Sequence, residues 1–255
     1  MSTKAKCDVT VLCDDRLASP LVAEHGFSVL VELVGGGSIL FDTGSTDAFI
    51  KNAEILGKDL TKVEKIVISH GHYDHAGGLR YLSNSNGKFR VYLRQEALLE
   101  KYSDERFAGI DWKGLEKIFE ISVVRDKVTE ISDGIFTFGP VEMKNDFEEP
   151  DSYFYVQKDG RRIRDFFEDE LNLVIDEVDG IVLITGCAHR GIVNTVEDVK
   201  KTFGKSVKTL IGGFHLYKAP LPKIEKVTNV LKSLGIGKVV PYHCTGETAI
   251  KIIER

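Results

Sequence analysis

One short segment, SHGHYDHAGGL at 69–79, limits what this chain can fold into more than any other. It holds three of the seven histidines, with a carboxylate among them and glycines on both sides. It directly follows the apolar run 63–68, which has the length and composition of a buried strand. Asp74 is a residue type that begins helices. The segment is therefore predicted to be a strand–loop–helix junction that collects ligating side chains at one end of a sheet.

The side chains of this segment are those that bind divalent metals. Neutral imidazole and carboxylate are the usual non-thiol ligands of zinc and related ions. His70 and His72, one residue apart in an extended loop, can hold one ion, and Asp74 with His75 can hold a second. Two ions about 3.5–4 Å apart could share a bridging hydroxide, which is a nucleophile at neutral pH. We therefore predict that these four residues, the histidine cluster, hold one or two zinc ions, with iron, Mn²⁺ or Mg²⁺ as the alternatives.

Composition and charge narrow the class of protein. The chain has 255 residues, of which 42% are hydrophobic and 29% charged, as in globular proteins. No apolar run approaches the roughly 18 residues that span a bilayer, and the amino terminus lacks the apolar core of a signal peptide. A net charge of −5 with scattered basic residues gives no footprint for nucleic acid. We expect a cytoplasmic protein with a small-molecule substrate and no membrane or nucleic-acid partner, either alone or as a homo-oligomer.

The order of apolar segments predicts an α/β fold. Strands come first without helices and later alternate with them, which suits two mixed β-sheets with helices on the outer faces. The predicted strands cover 9–13, 27–33, 38–41, 63–68, 90–93, 134–139, 171–177, 180–185, 208–212 and 238–241. The predicted helices cover 47–55, 95–102, 192–202, 221–234 and 247–255, with one more beginning at Asp74. We expect one domain over 1–255, with irregular excursions near 104–127 and 141–169 that cross the surface or form a lid.

Three motifs together resemble one family. HxHxDH at 70–75 resembles the signature of the metallo-β-lactamase superfamily, and FDTG at 41–44 resembles its upstream motif. A late histidine, His243 in PYHCTG, follows a predicted strand as the family's final metal ligand does. The resemblance implies the αββα sandwich of two mixed sheets. It also implies that Asp42 hydrogen-bonds and orients a metal ligand.

The chain departs from the family's pattern at two positions. No histidine lies between His75 and His189, so the usual third histidine is missing; Asp169 or Glu170 could replace it, although an exposed acidic face is the more ordinary explanation. Where the family has a bridging aspartate, the sequence reads TGCAH. Either Cys187 ligates as a thiolate or His189 completes the first site, and we favour His189 because imidazole suits such a site directly. Cys187 is equally well explained as a near neighbour or as a small buried residue.

Four further segments, TGCAHRGIVNT, GGFHL, PYHCTG and AEHGFS, narrow the resemblance. They are similar to a branch of metal-dependent hydrolases of β-lactamase superfamily II. That branch includes the dihydropterin-forming synthases of archaeal methanopterin biosynthesis. In such a site His215 would bind substrate, shuttle a proton or act as an additional ligand, unless it is simply a packed histidine. His25 would border the substrate cleft, unless it is an ordinary turn histidine.

The resemblance implies a metal-dependent hydrolase. A metal-bound hydroxide would attack a small ester, lactone or phosphate-containing substrate. Asp74 would position that hydroxide and His215 would stabilise developing charge, so both are predicted to be catalytic. The alternatives are a dihydropterin–ribofuranosylaminobenzene phosphate synthase-like transferase, a mononuclear iron thiol dioxygenase, and a non-catalytic metal-binding module. The sequence has no GxSxG elbow, P-loop or GxGxxG, so triad hydrolases and nucleotide-binding proteins lack support.

Overall fold

Short strands form three β-sheets in this computed structural model, which describes residues 7–82 and 89–255. The strands are β1 (Cys7–Cys13), β2 (Ser28–Leu33), β3 (Ser38–Phe41), β4 (Val63–Val67), β5 (Phe89–Leu93), β6 (Lys101–Ser103), β7 (Arg106–Phe107), β8 (Phe119–Val123), β9 (Val128–Ser132), β10 (Ile135–Phe138), β11 (Phe154–Lys158), β12 (Arg161–Arg164), β13 (Asn172–Glu177), β14 (Gly180–Thr185), β15 (Val207–Gly213) and β16 (Lys238–Tyr242). The α-helices are α1 (Ala48–Ile55), α2 (Tyr73–Ala76), α3 (Ile192–Phe203), α4 (Leu221–Ser233) and α5 (Glu247–Ile253).

These elements belong to two compact units. The amino-terminal unit comprises residues 7–125 and 152–169 of the described chain, and the carboxy-terminal unit comprises 126–151 and 170–255. Each unit has a hydrophobic core of its own. Among the helices of the described residues, none is both long and apolar enough to cross a membrane.

The amino-terminal unit contains two sheets. The larger has the strand order β1-β2-β3-β4-β5-β8, antiparallel from β1 to β3 and parallel from β3 to β8. A tight turn through Gly36 and Gly37, both with positive φ, joins β2 to β3. Strand β4 has parallel neighbours on both sides and buries Val63, Ile66 and Val67. The smaller sheet has the order β12-β11-β6-β7 and is antiparallel.

The carboxy-terminal unit contains one sheet, with the order β16-β15-β14-β13-β10-β9. Strands β14, β15 and β16 run parallel to one another, while β13, β10 and β9 are antiparallel. Parallel neighbours require crossover connections, and α3 and α4 supply them. Residues of β14, β15 and both helices share the core of this unit.

The predicted α/β class with mixed sheets and helices is confirmed. The predicted helix at 95–102 is wrong, since only a short 3₁₀ turn forms at Gln95–Leu98 and Lys101–Ser103 is strand β6. Pairing of β6 with β11 overrides the helical propensity of this segment. The stretches expected to be irregular also carry regular structure, namely β7 and β8 in 104–127 and β11 and β12 in 141–169.

Candidate metal centre

The histidine cluster lies where strand β4 leaves the interior of its sheet. Because β4 has β3 and β5 on either side, the chain that follows it emerges among buried neighbours. It then turns at once into α2, whose first residue follows His72. The cluster is therefore buried: His70 and His75 are fully inaccessible, and His72 and Asp74 are 5% and 8% exposed.

The imidazole rings of the cluster pack against one another. The ring centroid of His70 lies 4.7 Å from that of His72 and 4.2 Å from that of His75. Burial lowers the pKa of His70 well below its usual value, and the neighbouring imidazoles of His75 and His72 lower it further. Burial likewise lowers the pKa of His72, to about 3. Since neutral imidazole is the form that binds metal ions, these two side chains are held in their ligating state.

Asp42 fixes the orientation of His75. Nδ1 of His75 lies 2.7 Å from Oδ2 of Asp42, and both side chains are fully buried. A carboxylate only accepts hydrogen bonds, so Nδ1 carries the proton and the lone pair of the neutral ring lies on Nε2. That Nε2 is 3.9 Å from a carboxylate oxygen of Asp74. Asp42 has a φ of +58°, a strained conformation of the kind found at functional sites.

A buried lysine and two aspartates hold the loop of the cluster. Gly71, between His70 and His72, donates its backbone N–H to Oδ2 of Asp169 at 2.8 Å. The same oxygen lies 2.9 Å from Nζ of Lys101, which also donates to Asp165 at 2.8 Å. Lys101 is only 1% exposed. Burial would lower the pKa of Lys101, but the carboxylates of Asp169 and Asp165 raise it, so the lysine is charged.

Two glycines let other chain segments approach the cluster closely. A Cβ on Gly71 would lie 2.4 Å from the carbonyl oxygen of Ala97. A Cβ on Gly78, just after α2, would lie 2.0 Å from the carbonyl oxygen of Thr43. Neither position has space for a side chain, so glycine is required at both.

His25 lies beside the cluster and is half-exposed. Its Nε2 is 3.3 Å from Oδ2 of Asp74, and its Nδ1 is 2.7 Å from Oδ1 of Asp15. The side chain is 56% exposed, compared with 11% for Asp74. His25, which is predicted to bind substrate, therefore lies between the buried carboxylate of Asp74 and the surface of its unit.

The carboxy-terminal unit gathers other predicted residues at the ends of three parallel strands. Cys187 and His189 follow β14, His215 follows β15, and His243 and Cys244 follow β16. The carboxyl ends of neighbouring parallel strands meet at the same edge of a sheet, so these loops lie together. Apart from His215, these residues are at most 7% exposed.

Within these loops, the donor atoms of Cys187, His215 and Cys244 all lie within 4.8 Å of one another. Nε2 of His215 is 3.1 Å from Oδ2 of Asp151. Burial would lower the pKa of His215, but hydrogen bonds with Asp151 and Cys244 raise it to about 9. Burial would raise the pKa of the Cys244 thiol, but Cys187 and His215 bring it well below its usual value. The ring of His189 lies 4.1 Å from that of His215.

Glu170 supports the loop that carries His189. Its Oε1 accepts the backbone N–H of His189 at 2.5 Å, and its Oε2 accepts that of Arg190 at 3.2 Å. Glu170 and Asp169 are both buried, so the explanation that they form an exposed acidic face is wrong. Each carboxylate accepts a backbone N–H from a loop that carries predicted metal ligands.

The sequence did not indicate Lys101, Asp165, Asp151 or Cys244. Lys101 and Asp165 are 64 positions apart, and each stands in a stretch whose local pattern suggested a helix or an irregular loop. The sequence position of Cys244 could have indicated it as a site residue, because it follows His243 directly in PYHCTG. No local sequence pattern indicates Asp151, because it contacts His215, 64 positions away, only in the folded chain.

A family model described as the metallo-β-lactamase superfamily matches residues 21–243. A crystal structure described as a metal-dependent hydrolase of the β-lactamase superfamily is 46% identical, with a TM-score of 0.90, over 98% of this chain and 93% of that one. The crystal structure of Zn²⁺-bound PqqB from Methylobacterium extorquens is similar in fold, with a TM-score of 0.53 at 12% identity over 96% of this chain and 84% of that one.

A relative of known name comes from Methanocaldococcus jannaschii. It is 7,8-dihydropterin-6-methyl-4-(β-D-ribofuranosyl)-aminobenzene-5′-phosphate synthase, which is 33% identical over 244 residues. The alignment covers 89% of this chain and 83% of the synthase. The similarity therefore extends over most of both chains.

Proposed function

Because the chain belongs to the metallo-β-lactamase superfamily, we propose that it is a metal-dependent hydrolase of a small ester, lactone or phosphate-containing substrate. The observation that supports this most strongly is the histidine cluster itself. Four buried ligating side chains lie together at the end of one strand, and two of the imidazoles are kept neutral by their burial. Burying so many polar groups costs free energy unless they are paired or bind an ion.

The donors of the cluster fit a divalent ion. Neutral imidazoles and one carboxylate suit zinc, while iron and manganese accept the same ligands. We propose zinc, held by His70, His72, Asp74 and His75. A bound ion of this kind polarises a substrate oxygen and makes a bound water more acidic. His189 and His243 stay predicted ligands on the strength of their places in the sequence.

The residues around the cluster have distinct tasks in this proposal. Asp42 keeps the proton of His75 on Nδ1, so that Nε2 faces the ligand side. Asp169 holds Gly71, and with it the direction in which the flanking histidines point. The exposure of His25 and its 3.3 Å contact with Asp74 support a role in binding a polar group of the substrate.

One specific observation favours a second function. The named archaeal synthase shares 33% identity over most of both chains. A transferase that joins a pterin to an aminobenzene phosphate would use the same cluster to bind an anionic leaving group or to activate a hydroxyl group. Dependence of substrate binding on a phosphate group would be common to this reaction and to phosphate ester hydrolysis, so the products distinguish them.

The test compares metal-free protein with zinc-reconstituted protein on phosphate esters, lactones and thioesters. We expect turnover only after reconstitution, and its loss in His72→Ala. Asn52→Ala is the control, because Asn52 is a buried polar residue of the same unit whose side chain hydrogen-bonds to the backbone of Leu12 and Val22, outside the cluster. Turnover that is equal in metal-free and reconstituted protein would contradict the proposal. If the protein instead couples a pterin to an aminobenzene phosphate and hydrolyses none of these substrates, the hydrolase proposal is wrong and the second function, the synthase, takes its place.

A further inference from the structure

We infer that Arg106 and Tyr73 form a subsite that binds a phosphate group of the substrate while the histidine cluster acts on another part of the same molecule. This subsite rests on the proposed function and narrows its substrate to a molecule that carries a phosphate away from the bond that reacts. Both residues belong to the amino-terminal unit, which also holds the histidine cluster.

Arg106 is an exposed cation at the start of β7. Within residues 7–82 and 89–255 its guanidinium forms no ion pair with a carboxylate. Arg90 and Arg162 of the same unit differ in this respect, since each pairs with a glutamate, at 2.9 and 2.8 Å. A guanidinium presents several N–H donors in a planar fork that matches the oxygens of a phosphate. The charge of Arg106 is therefore available to an anionic ligand.

Tyr73 holds the side chain of Arg106 in place. Nη2 of Arg106 donates to the hydroxyl oxygen of Tyr73 at 2.9 Å, and its Cζ lies 5.3 Å from the centroid of the Tyr73 ring. The backbone N–H of Tyr73 also donates to the carbonyl oxygen of Ala108 at 2.9 Å, which ties β7 to the start of α2. A long side chain that is already held loses less conformational entropy when it binds a ligand. Arg106 is thus preorganised for an anion.

The pair lies beside the groups that take part in the proposed function. Tyr73 is the first residue of α2 and stands between His72 and Asp74 in the chain. Its ring centroid lies 6.3 Å from that of His25, whose Nε2 is 3.3 Å from Oδ2 of Asp74. Contacts therefore run without interruption from Asp74 through His25 and Tyr73 to Arg106. A substrate that extends from the cluster along these side chains meets a cation at its far end.

A phosphate bound by Arg106 serves orientation as well as affinity. Interactions with a part of the substrate away from the reacting bond hold that bond in position at the cluster. The planar fork of an arginine can bind two phosphate oxygens at once, so it fixes the direction of the phosphate better than a lysine would. We therefore expect Arg106 to distinguish substrates that carry a phosphate from neutral ones.

Binding of phenyl phosphate to the metal-free full chain tests the subsite without any assay of activity. The titration is followed by ligand-observed NMR, with phenol as the neutral probe. We expect Arg106→Gln to weaken phenyl phosphate binding about 10-fold, because charge-assisted hydrogen bonds are lost, and to leave phenol binding unchanged. Tyr73→Phe keeps the ring but releases the guanidinium, so we expect a smaller loss. Arg162→Gln is the matched control, because Arg162 also stacks on a tyrosine, Tyr102, but is paired with Glu105.

The outcomes separate this subsite from the proposed function. Wild-type protein that does not bind phenyl phosphate would overturn the inference, as would equal affinity in Arg106→Gln. An equal loss in Arg162→Gln would also overturn it, because the effect would then come from surface charge in general. In zinc-loaded protein, Arg106→Gln should raise KM for a carboxylic ester that carries a phosphate but not for a neutral lactone. Phenyl phosphate binding that depends on Arg106, in protein without hydrolytic turnover, would support the subsite and contradict only the proposed function.

Discussion

Replacing Lys101 by methionine removes the buried cation that pairs with both Asp165 and Asp169. At 2.8 and 2.9 Å, and with an effective dielectric constant of about 20, each contact is worth roughly 6 kcal/mol before desolvation is subtracted. In the wild-type protein, the cost of removing these charges from water offsets most of this Coulomb attraction. The variant still buries the two carboxylates, but it has lost their attraction to the lysine. Breaking a buried ion pair on one side costs about 3–5 kcal/mol. We expect Lys101→Met to lower the free energy of unfolding by that amount at neutral pH.

The loss of stability in Lys101→Met should depend on pH. Burial and the neighbouring Asp169 carboxylate already raise the pKa of Asp165 against the opposing effect of Lys101, so without the cation the pKa of Asp165 rises further above that of the unfolded chain. The folded variant then binds more protons than the unfolded variant, so its stability falls as pH rises. The difference between wild-type and variant should therefore be smaller at pH 5 than at pH 8.

Urea unfolding of metal-free protein, followed by tryptophan fluorescence, measures the stability of the unit that contains Lys101. Trp112 is the single tryptophan of the chain, and its Nε1 donates to the carbonyl oxygen of Ala97 in the same unit as Lys101. Lys51→Met is the control, because Lys51 pairs with Asp47 at 2.9 Å in the same unit but both side chains are exposed, so its loss should cost about 1 kcal/mol or less. A loss below about 1 kcal/mol in Lys101→Met, or a difference that widens at low pH, would refute the reasoning.

Three further substitutions test the surroundings of the cluster. Asp42→Asn should weaken zinc binding about 10–100-fold by releasing His75, as competition with a chelator would show, and unchanged affinity would contradict the role of Asp42. Gly78→Ala should destabilise the protein by about 1–3 kcal/mol or more in urea unfolding, since its Cβ would lie 2.0 Å from the carbonyl oxygen of Thr43. His25→Ala should raise KM while the zinc content stays the same, and a loss of zinc would assign His25 to the metal site instead.

The parts of the fold that the sequence predicted are those encoded locally. Strand β4 follows from its apolar run, and α3 and α4 from their helical periodicity. The error at 95–102 arose because Ala, Leu and Glu favour a helix when read alone, whereas Lys101–Ser103 pairs with β11 more than fifty positions away. Short strands in charged, irregular stretches leave no pattern that a single sequence reveals.

The residues of the candidate site also fall into two groups: those that local motifs predict, and those that only the fold brings together. The four cluster residues and Asp42 stand in short motifs, so the sequence alone is enough to predict them as site residues. The support given by Lys101, Asp165 and Asp169 comes from contacts between distant positions, and no spacing rule predicts it. Burial of Asp169 was missed for a related reason, because a run of acidic residues in sequence normally lies on a solvated face.

Elemental analysis of protein purified without chelators, beside His72→Ala, is the most direct test that the histidine cluster holds a metal. The account predicts zinc in the wild-type protein and less zinc in the variant, with circular dichroism showing that both are folded. Iron in place of zinc would move the chemistry toward oxidation while leaving the site in place. Wild-type protein that contains no transition metal, even after reconstitution, or a His72→Ala variant with undiminished metal, would contradict the account.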